Sequence, residues 1–394
     1  MTKRKSSKST QGQKPLAPLT GCAGILTVLL VLVAAALTGA DPVELLDMLL
    51  APPPEPITTT TESGADWWHV YFTTPVNSND PALFVNGIDQ RLVEAIDKAI
   101  RSVDVVAFEF NLSSVTDALI RARARGVKVR VVTDDEHGLE DLDTPLDQLI
   151  EAGIPVIDDH RNALMHNKFV IIDGRQVWTG SWNFTQNGTF RNNNNVIVID
   201  SEALAQIYTR EFGEMFGGRK FGGQSPSYAN ANEQKVVING TPIQAYFAPE
   251  DDVADKIAAL LAEADTSIRF MAFSFTHDAI GEAVRRRAAA GVDVAGIFEK
   301  RGSKTEYSEL TQLFCAHLPV RVDGNPRVLH HKVFIIDNET VILGSFNFSN
   351  NADRSNDENI LIIRNAEIAA QYNAEFDRRW SEGSPPDADD LKCH

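Results

Sequence analysis

The sequence predicts an α/β fold built twice: two tandem, similar α/β domains, each a central sheet flanked by helices. Three observations carry that expectation. First, the stretch Leu329–Ser349 (LHHKVFIIDNETVILGSFNFS) has a twin at Met165–Thr185 (MHNKFVIIDGRQVWTGSWNFT). Second, the likeness continues outside the twins at a near-constant offset, the mark of an internal repeat. Ala107-Phe108-Glu109-Phe110 returns as Ala272-Phe273-Ser274-Phe275, and Gly126-Val127 as Gly291-Val292, each 165 residues later. His166 and His330 are 164 residues apart, as are Tyr208 with Glu211-Phe212 and Tyr372 with Glu375-Phe376. Third, helical and strand-like periods alternate within each copy, as in sheets layered between helices.

In chain order, residues 1–20 are polar and basic, with Lys3, Arg4, Lys5, Lys8 and Lys14 and no acid. Residues 21–40 contain the unbroken apolar run Gly21–Gly39, near the length of a membrane-spanning helix. Basic residues before it and Asp41, Glu44 and Asp47 after it place the N-terminus inside and the body outside. The run reads as a transmembrane signal anchor, or as a signal peptide cut near Thr38-Gly39-Ala40. Its length favours the anchor. Leu19-Thr20-Gly21-Cys22 is like a lipoprotein cleavage box, but the apolar run follows it instead of preceding it. Residues 41–65 form a Pro/Thr linker (APPPEPITTTT at Ala51–Thr61), an extended spacer. The expected location is the cell membrane with the body outside the cytoplasm, or secretion if the signal is cut.

The repeats occupy residues 66–225 and 226–394, joined around the Gly/Ser/Asn-rich stretch Gly217–Gln234. Leu92, Ile96 and Ile100 share one helical face, as do Ile257, Leu260, Leu261 and Ala264. Strands are expected at Val103–Phe110 and Ile268–Phe275. A second helix ends in Arg121–Arg125 before Gly126, and in Arg285–Arg287 shortly before Gly291. Basic last turns followed by Gly suit helix C-termini, so these arginines read as solvated helix ends and not as a nucleic-acid patch. Further strands follow at Val127–Val132 and Val292–Phe298, at the His-Lys segments, and at Val196–Ile199 and Ile360–Ile363. Trp67-Trp68 reads as core or domain packing.

Charge narrows the partners. Net charge is −17. Without the basic N-terminus the rest carries 32 basic against 54 acidic residues, a balance of −22. Such a body does not suit non-specific binding along nucleic acid, which relies on a basic surface. The three cysteines, Cys22, Cys315 and Cys393, have no zinc spacing; an oxidising compartment would allow Cys315 and Cys393 to pair, which the sequence leaves open.

Each twin stretch runs His, one spacer, Lys, four apolar residues, Asp, six residues, then Gly-Ser-x-Asn. Period two puts His166 beside Lys168, and His330 beside Lys332, on one face of an extended segment. Each pair offers a nucleophile or acid next to a fixed positive charge. Gly180-Ser181 and Gly344-Ser345 allow a close turn with a hydroxyl, and Asn183 and Asn347 add amide donors. One copy is half a phosphate site; two facing copies make a whole one. Asn183 and Asn347 also match glycosylation sequons, but read here as part of this motif.

The pattern resembles the signature of the phospholipase D superfamily, His-x-Lys-x4-Asp followed by Gly-Ser-x-Asn. Both copies match at all six positions, and the likeness runs from roughly Trp67 to Trp380. The resemblance implies two α/β halves about a pseudo-twofold with the site at their seam, in a monomer. It implies a two-step displacement at a phosphodiester with a phosphohistidine intermediate, His166 as nucleophile and His330 as general acid. Lys168 and Lys332 would hold the non-bridging oxygens and Asn183 and Asn347 would donate hydrogen bonds, with Ser181 and Ser345 assisting. No metal or cofactor is required. Asp173 and Asp337 are expected to be structural. His331 is expected to point away from the site as a spacer. Family members often carry a downstream acid that orients a histidine; Glu358 fits, whereas its counterpart by offset is Asn194, a departure that predicts imidazoles of unequal basicity.

The leading expectation is a phospholipase D-type phosphodiesterase acting on phospholipid head groups outside the cytoplasmic membrane. A nuclease of the same superfamily is the alternative, and phosphatidyl transfer of the cardiolipin synthase type a third reading. A catalytically silent scaffold would not need two intact motifs.

Overall fold

Short runs of Val and Ile, bracketed by Gly and Asp turns, give each half its strands; amphipathic segments between them give the helices. The computed structural model describes residues 67–76, 80–228 and 231–393. The expected basic N-terminus, the apolar run and the linker lie outside the described residues. The first half runs β1 (Trp68–Phe72), α1 (Ile88–Lys98), β2 (Ser102–Ala107), α2 (Ser113–Ala124), β3 (Lys128–Thr133), α3 (Leu146–Glu151), β4 (Val156–Asp158), β5 (Lys168–Ile172), β6 (Gln176–Gly180), α4 (Gln186–Phe190), β7 (Asn195–Asp200) and α5 (Glu202–Phe216). The second runs β8 (Lys235–Ile238), β9 (Thr241–Ala248), α6 (Val253–Ala262), β10 (Ser267–Ala272), α7 (Asp278–Ala289), β11 (Asp293–Phe298), α8 (Glu309–Cys315), β12 (Val320–Val322), β13 (Lys332–Ile336), β14 (Thr340–Gly344), α9 (Asn350–Arg354), β15 (Glu358–Arg364) and α10 (Ala366–Glu382).

The two sheets have the same plan. The first is ordered β1-β7-β6-β5-β2-β3-β4, and the second β8-β9-β15-β14-β13-β10-β11-β12, with β8 as an added edge strand. In each sheet three strands are parallel (β2, β3, β4; β10, β11, β12) and the other pairings antiparallel. The motif strands β5 and β13 lie in mid-sheet and are buried along their whole length, which is why they read KFVII and KVFII instead of alternating.

The sheets share a core. Phe169, Ile171 and Ile197 on the inner face of the first sheet join Val333, Leu361 and Ile363 of the second, with α5 and α10 packed among them. Tyr208 of α5 packs its ring against Phe169 (5.0 Å) and, across the seam, against Phe247 (5.4 Å); Tyr372 of α10 meets Phe72 at 5.2 Å. α1, α2 and α3 cover the outer face of the first sheet, and α6, α7 and α8 that of the second. Neither half could keep its inner face dry alone.

Several expectations are refined. Ile100 lies past the end of α1 and is 80% exposed, so Leu92 and Ile96 alone face the core. β2 and β10 end at Ala107 and Ala272, so the Phe-x-Phe pairs that follow leave the sheet. The arginines at helix ends pair locally: Arg121 with Asp97, Arg286 with Glu282, and Arg285 with Glu309. Gly126 and Gly291 adopt φ of +91° and +95°, the left-handed turn that ends α2 and α7. Trp67 and Trp68 are half-buried against the shared core. Cys315, at the end of α8, is disulfide-bonded to Cys393. Among the described residues no helix is long and apolar enough to cross a membrane.

Candidate active site

Strand register brings the two motifs together. Lys168 opens β5 opposite Ala107, the last residue of β2, and Lys332 opens β13 opposite Ala272, the last of β10. The residues just before each lysine bond to the other half. His166 N donates to the Asp357 carbonyl and His330 N to the Asn193 carbonyl, both at 2.9 Å. Each histidine is therefore pinned across the seam, and both are at least nine-tenths buried.

The imidazoles are oriented across the seam too. His166 Nδ1 lies 2.8 Å from both oxygens of Glu358 in the second half. His330 Nδ1 lies 2.8 Å from Asn194 Oδ1 and 2.9 Å from the Ser181 carbonyl, both in the first. These oxygens accept, so His330 carries its proton on Nδ1 and leaves Nε2 for chemistry. The motif serines brace the orienting groups: Ser345 Oγ donates to Glu358 (2.6 Å) and Ser181 Oγ to Asn194 (2.9 Å). The glycine before each serine follows from crowding. A Cβ on Gly180 would lie 2.2 Å from the Asn195 carbonyl, and one on Gly344 2.1 Å from that of Asn359.

The lysines sit beside the imidazoles. Lys168 Nζ donates to the His166 carbonyl (2.7 Å) and Lys332 Nζ to that of His330 (2.9 Å). Each ammonium also lies over an aromatic face, Phe108 at 4.8 Å and Phe273 at 4.7 Å. The same two rings meet His166 and His330 edge-on, at 4.7 and 4.9 Å. Asn183 Nδ2 donates to Glu109 at 2.6 Å, and Asn347 is half-buried nearby in the second motif.

Burial outweighs the neighbouring carboxylates in setting the electrostatics. Burial first, then both lysine charges, hold the His166 and His330 imidazoles well below their usual range. Each histidine lies within electrostatic reach of both lysines. Burial lowers Lys168 to about 8, and Lys332 falls well below its usual value, chiefly by burial and then by the Lys168 charge. Burial raises Glu358 to about 8, although Lys168 and Lys332 oppose it. Two desolvated ammonium groups, offset only in part by Glu358 and Glu109, form a receptor for an anion.

Asp173 and Asp337 lie outside this constellation. The Asp173 carboxylate accepts from the backbone N–H groups of Ile100, Arg101 and Ser102, and that of Asp337 from Asp265, Thr266 and Ser267. They clamp the turns entering β2 and β10. His331 turns to the seam, where Nδ1 accepts from Asn195 Nδ2 (2.9 Å) and Nε2 donates to Glu375 (3.2 Å). Sequence reasoning passed over Phe108, Phe273, Glu109 and His137, whose ring stacks on Phe108 at 4.8 Å. The repeated Ala-Phe-x-Phe was the available signal for the first three; His137 had none, since Gly302 is its equivalent. Among the described residues one group has ligand geometry for a metal: Asp134, Asp135 and Asp159. Arg161 already pairs with Asp159.

Comparison with known proteins agrees with this geometry. The family described as "Cardiolipin synthase, PLD-like domain" matches residues 92–216 and 257–380, more than half the chain. A mitochondrial cardiolipin hydrolase of Xenopus tropicalis is 30% identical over 154 residues, covering 36% of this chain and 73% of that protein. A phospholipase D of Rickettsia conorii is 39% identical over 126 residues, covering 32% of this chain and 62% of its own length, so under two thirds of that relative is spanned. The fold resembles that of phosphatidylserine synthase from Haemophilus influenzae, with a TM-score of 0.62 at 14% identity over 82% of this chain and 88% of that one. The same family domain is thus matched once in each half, around the two strands that deliver His166 and His330, and the chain belongs to the phospholipase D superfamily.

Proposed function

We propose that the protein is a phospholipase D-type phosphodiesterase that hydrolyses phospholipid head-group esters to phosphatidic acid. The observation carrying this reading is the crossed orientation of the two imidazoles: Glu358 on His166, Asn194 on His330. Burial holds Glu358 up to about 8 in the free site; it ionises as His166 takes on positive charge when its Nε2 bonds phosphorus, and so stabilises that cation, which makes His166 the nucleophile. Asn194 orients His330 without offering a charge, which suits a group that must give up its proton, so His330 is the acid. Lys168 and Lys332 hold the non-bridging oxygens, and the ester's own negative charge restores the cationic form of His330 that burial suppresses.

The steps balance. The Nε2 lone pair of His166 forms a bond to phosphorus while the bond to the head-group oxygen breaks. That oxygen takes the Nε2 proton of His330. Neutral His330 then removes a proton from water, whose oxygen displaces His166 and yields phosphatidic acid. Supporting a lipid substrate are the relatives' names, the acidic body and the apolar run before it. On the same ground the expected membrane location stays part of the proposal.

The full-length protein in mixed micelles decides the substrate. Phosphatidylcholine, phosphatidylglycerol and single-stranded DNA are offered with chelator present. Head-group release is expected. DNA cleavage without lipid turnover would replace the reading with a nuclease, and transfer to an added primary alcohol in preference to water would make the enzyme a transferase. Loss of all turnover with chelator would contradict the metal-free mechanism.

A further inference from the structure

The charge around the reacting groups differs between the halves. Glu109 follows Phe108 in the first half; 165 residues later the second half has the uncharged Ser274. Two links tie Glu109 to the site. Its neighbour Phe108 lies under Lys168 Nζ and packs edge-on against His166. Its Oε2 accepts from Asn183 Nδ2 at 2.6 Å, and Asn183 lies two residues past Ser181, whose carbonyl holds His330 Nδ1. Glu109 is within electrostatic reach of both Lys168 and Lys332.

Glu358 also reaches both lysines, but it is turned inward: it is fully buried, and His166 and Ser345 take its oxygens. Glu109 is only half-buried. An amide nitrogen carries two N–H groups, so Asn183 can hold this carboxylate with one and offer the other to a substrate oxygen. A phosphate seated on the two lysines therefore has a fixed negative charge beside it. None of the chemical steps uses that charge, and it weakens the receptor for every anion. It does not weaken it equally, because repulsion grows with the charge of the guest. A phosphodiester carries one negative charge. The monoester left after hydrolysis carries close to two at neutral pH, its second pKa being about 6.

We propose that Glu109 sets the charge this site accepts: it admits a singly charged diester and disfavours the doubly charged monoester, so that product leaves and free monoesters do not occupy the site. The proposal rests on the hydrolytic reading above, which yields the monoester, and on no particular alcohol.

Calorimetric titration of the full-length protein tests it. At about pH 7.5, methyl phosphate serves as the doubly charged monoester, and dimethylphosphinate as a singly charged mimic of a diester with no ester bond to cleave. In the unaltered protein methyl phosphate is expected to bind no more tightly than dimethylphosphinate, despite its second charge. Glu109→Gln keeps the side-chain length and an acceptor for Asn183, and removes only the charge. If it tightens dimethylphosphinate about threefold, it should tighten methyl phosphate by about the square of that, roughly tenfold. Glu109→Ser, which installs the residue of the second half, should shift the preference the same way, and it carries the test if the Gln variant does not fold. At about pH 5 methyl phosphate is singly charged too, and Glu109→Gln should then favour neither ligand. Equal tightening of both ligands at the higher pH, no tightening, or equal weakening of both would overturn the proposal. So would a strong preference for methyl phosphate in the unaltered protein. The hydrolytic reading is tested apart, by release of p-nitrophenolate and p-nitrophenyl phosphate from bis(p-nitrophenyl) phosphate. If neither is released, that reading fails, while the calorimetric comparison still decides whether Glu109 selects by charge.

Discussion

Glu358 and Asn194 occupy equivalent positions but give the two imidazoles different chemistry. Glu358→Gln should cost kcat/KM about a hundredfold to a thousandfold, since the cation formed on His166 loses its carboxylate. Asn194→Ala, which removes orientation but no charge, should cost about tenfold; equal losses in steady-state assays would contradict the asymmetry. A pH profile follows from Lys168, whose ammonium persists in the free site only below about 8. Capture of the anionic ester therefore weakens as pH rises through that value, and the fall belongs to kcat/KM, which reports free-enzyme groups. A kcat/KM flat to pH 9.5 would rule this out. The departure at Asn194 was visible in the sequence as an offset. What the sequence did not show is that each orienting residue serves the histidine of the other half, because pairing across a seam leaves no local pattern. Phe108 and Phe273 were signalled only by the repeated Ala-Phe-x-Phe, and a Phe next to a strand also reads as core.

At the scale of elements, the motif aspartates hold turns and touch no reacting group. Asp337→Ala should remove three backbone bonds to a carboxylate, costing about 2 kcal/mol of stability. Denaturant unfolding checks the cost, and turnover per folded molecule should be unchanged. Gly344→Ala is expected to lower both stability and turnover per folded molecule, because its Cβ would push β14 from β15 at Ser345 and unseat Glu358. The disulfide from α8 to Cys393 closes a loop of 78 residues in the outer layer. Reduction should lower stability by up to about 4 kcal/mol, by the chain-entropy account, and leave kcat unaltered. A protein whose melting temperature ignored reductant would show that the pair contributes nothing. Strand identities were legible because apolar runs bounded by turn residues leave few alternatives. Element ends were not: Ile100 has the right spacing for the face of α1, but the helix stops two residues earlier, where Asp173 takes hold of the backbone N–H groups.

For the whole molecule, duplication is the reason the site exists. One sheet supplies one imidazole, one lysine and the orienting group for the opposite imidazole, so only the closed pair is complete. The repeat was legible in the sequence at its constant offset; the shared core between the sheets was not, because inner and outer faces of a doubly buried strand read alike. An anion should stabilise the closed pair by relieving two buried ammonium groups. Inorganic phosphate at a hundred times its Kd is expected to add about 2.7 kcal/mol to unfolding, seen as a raised melting temperature that Lys168→Met abolishes. The central claim is that both histidines act on one phosphorus in unequal roles. It is tested most directly by quenching His330→Ala during turnover of an ester with a p-nitrophenolate leaving group and locating the phosphoryl adduct by mass spectrometry. Such a leaving group needs no acid, while release of the intermediate needs the missing base. The account predicts one adduct per chain, on His166; turnover with no adduct at His166, or an adduct on any other residue, would contradict it.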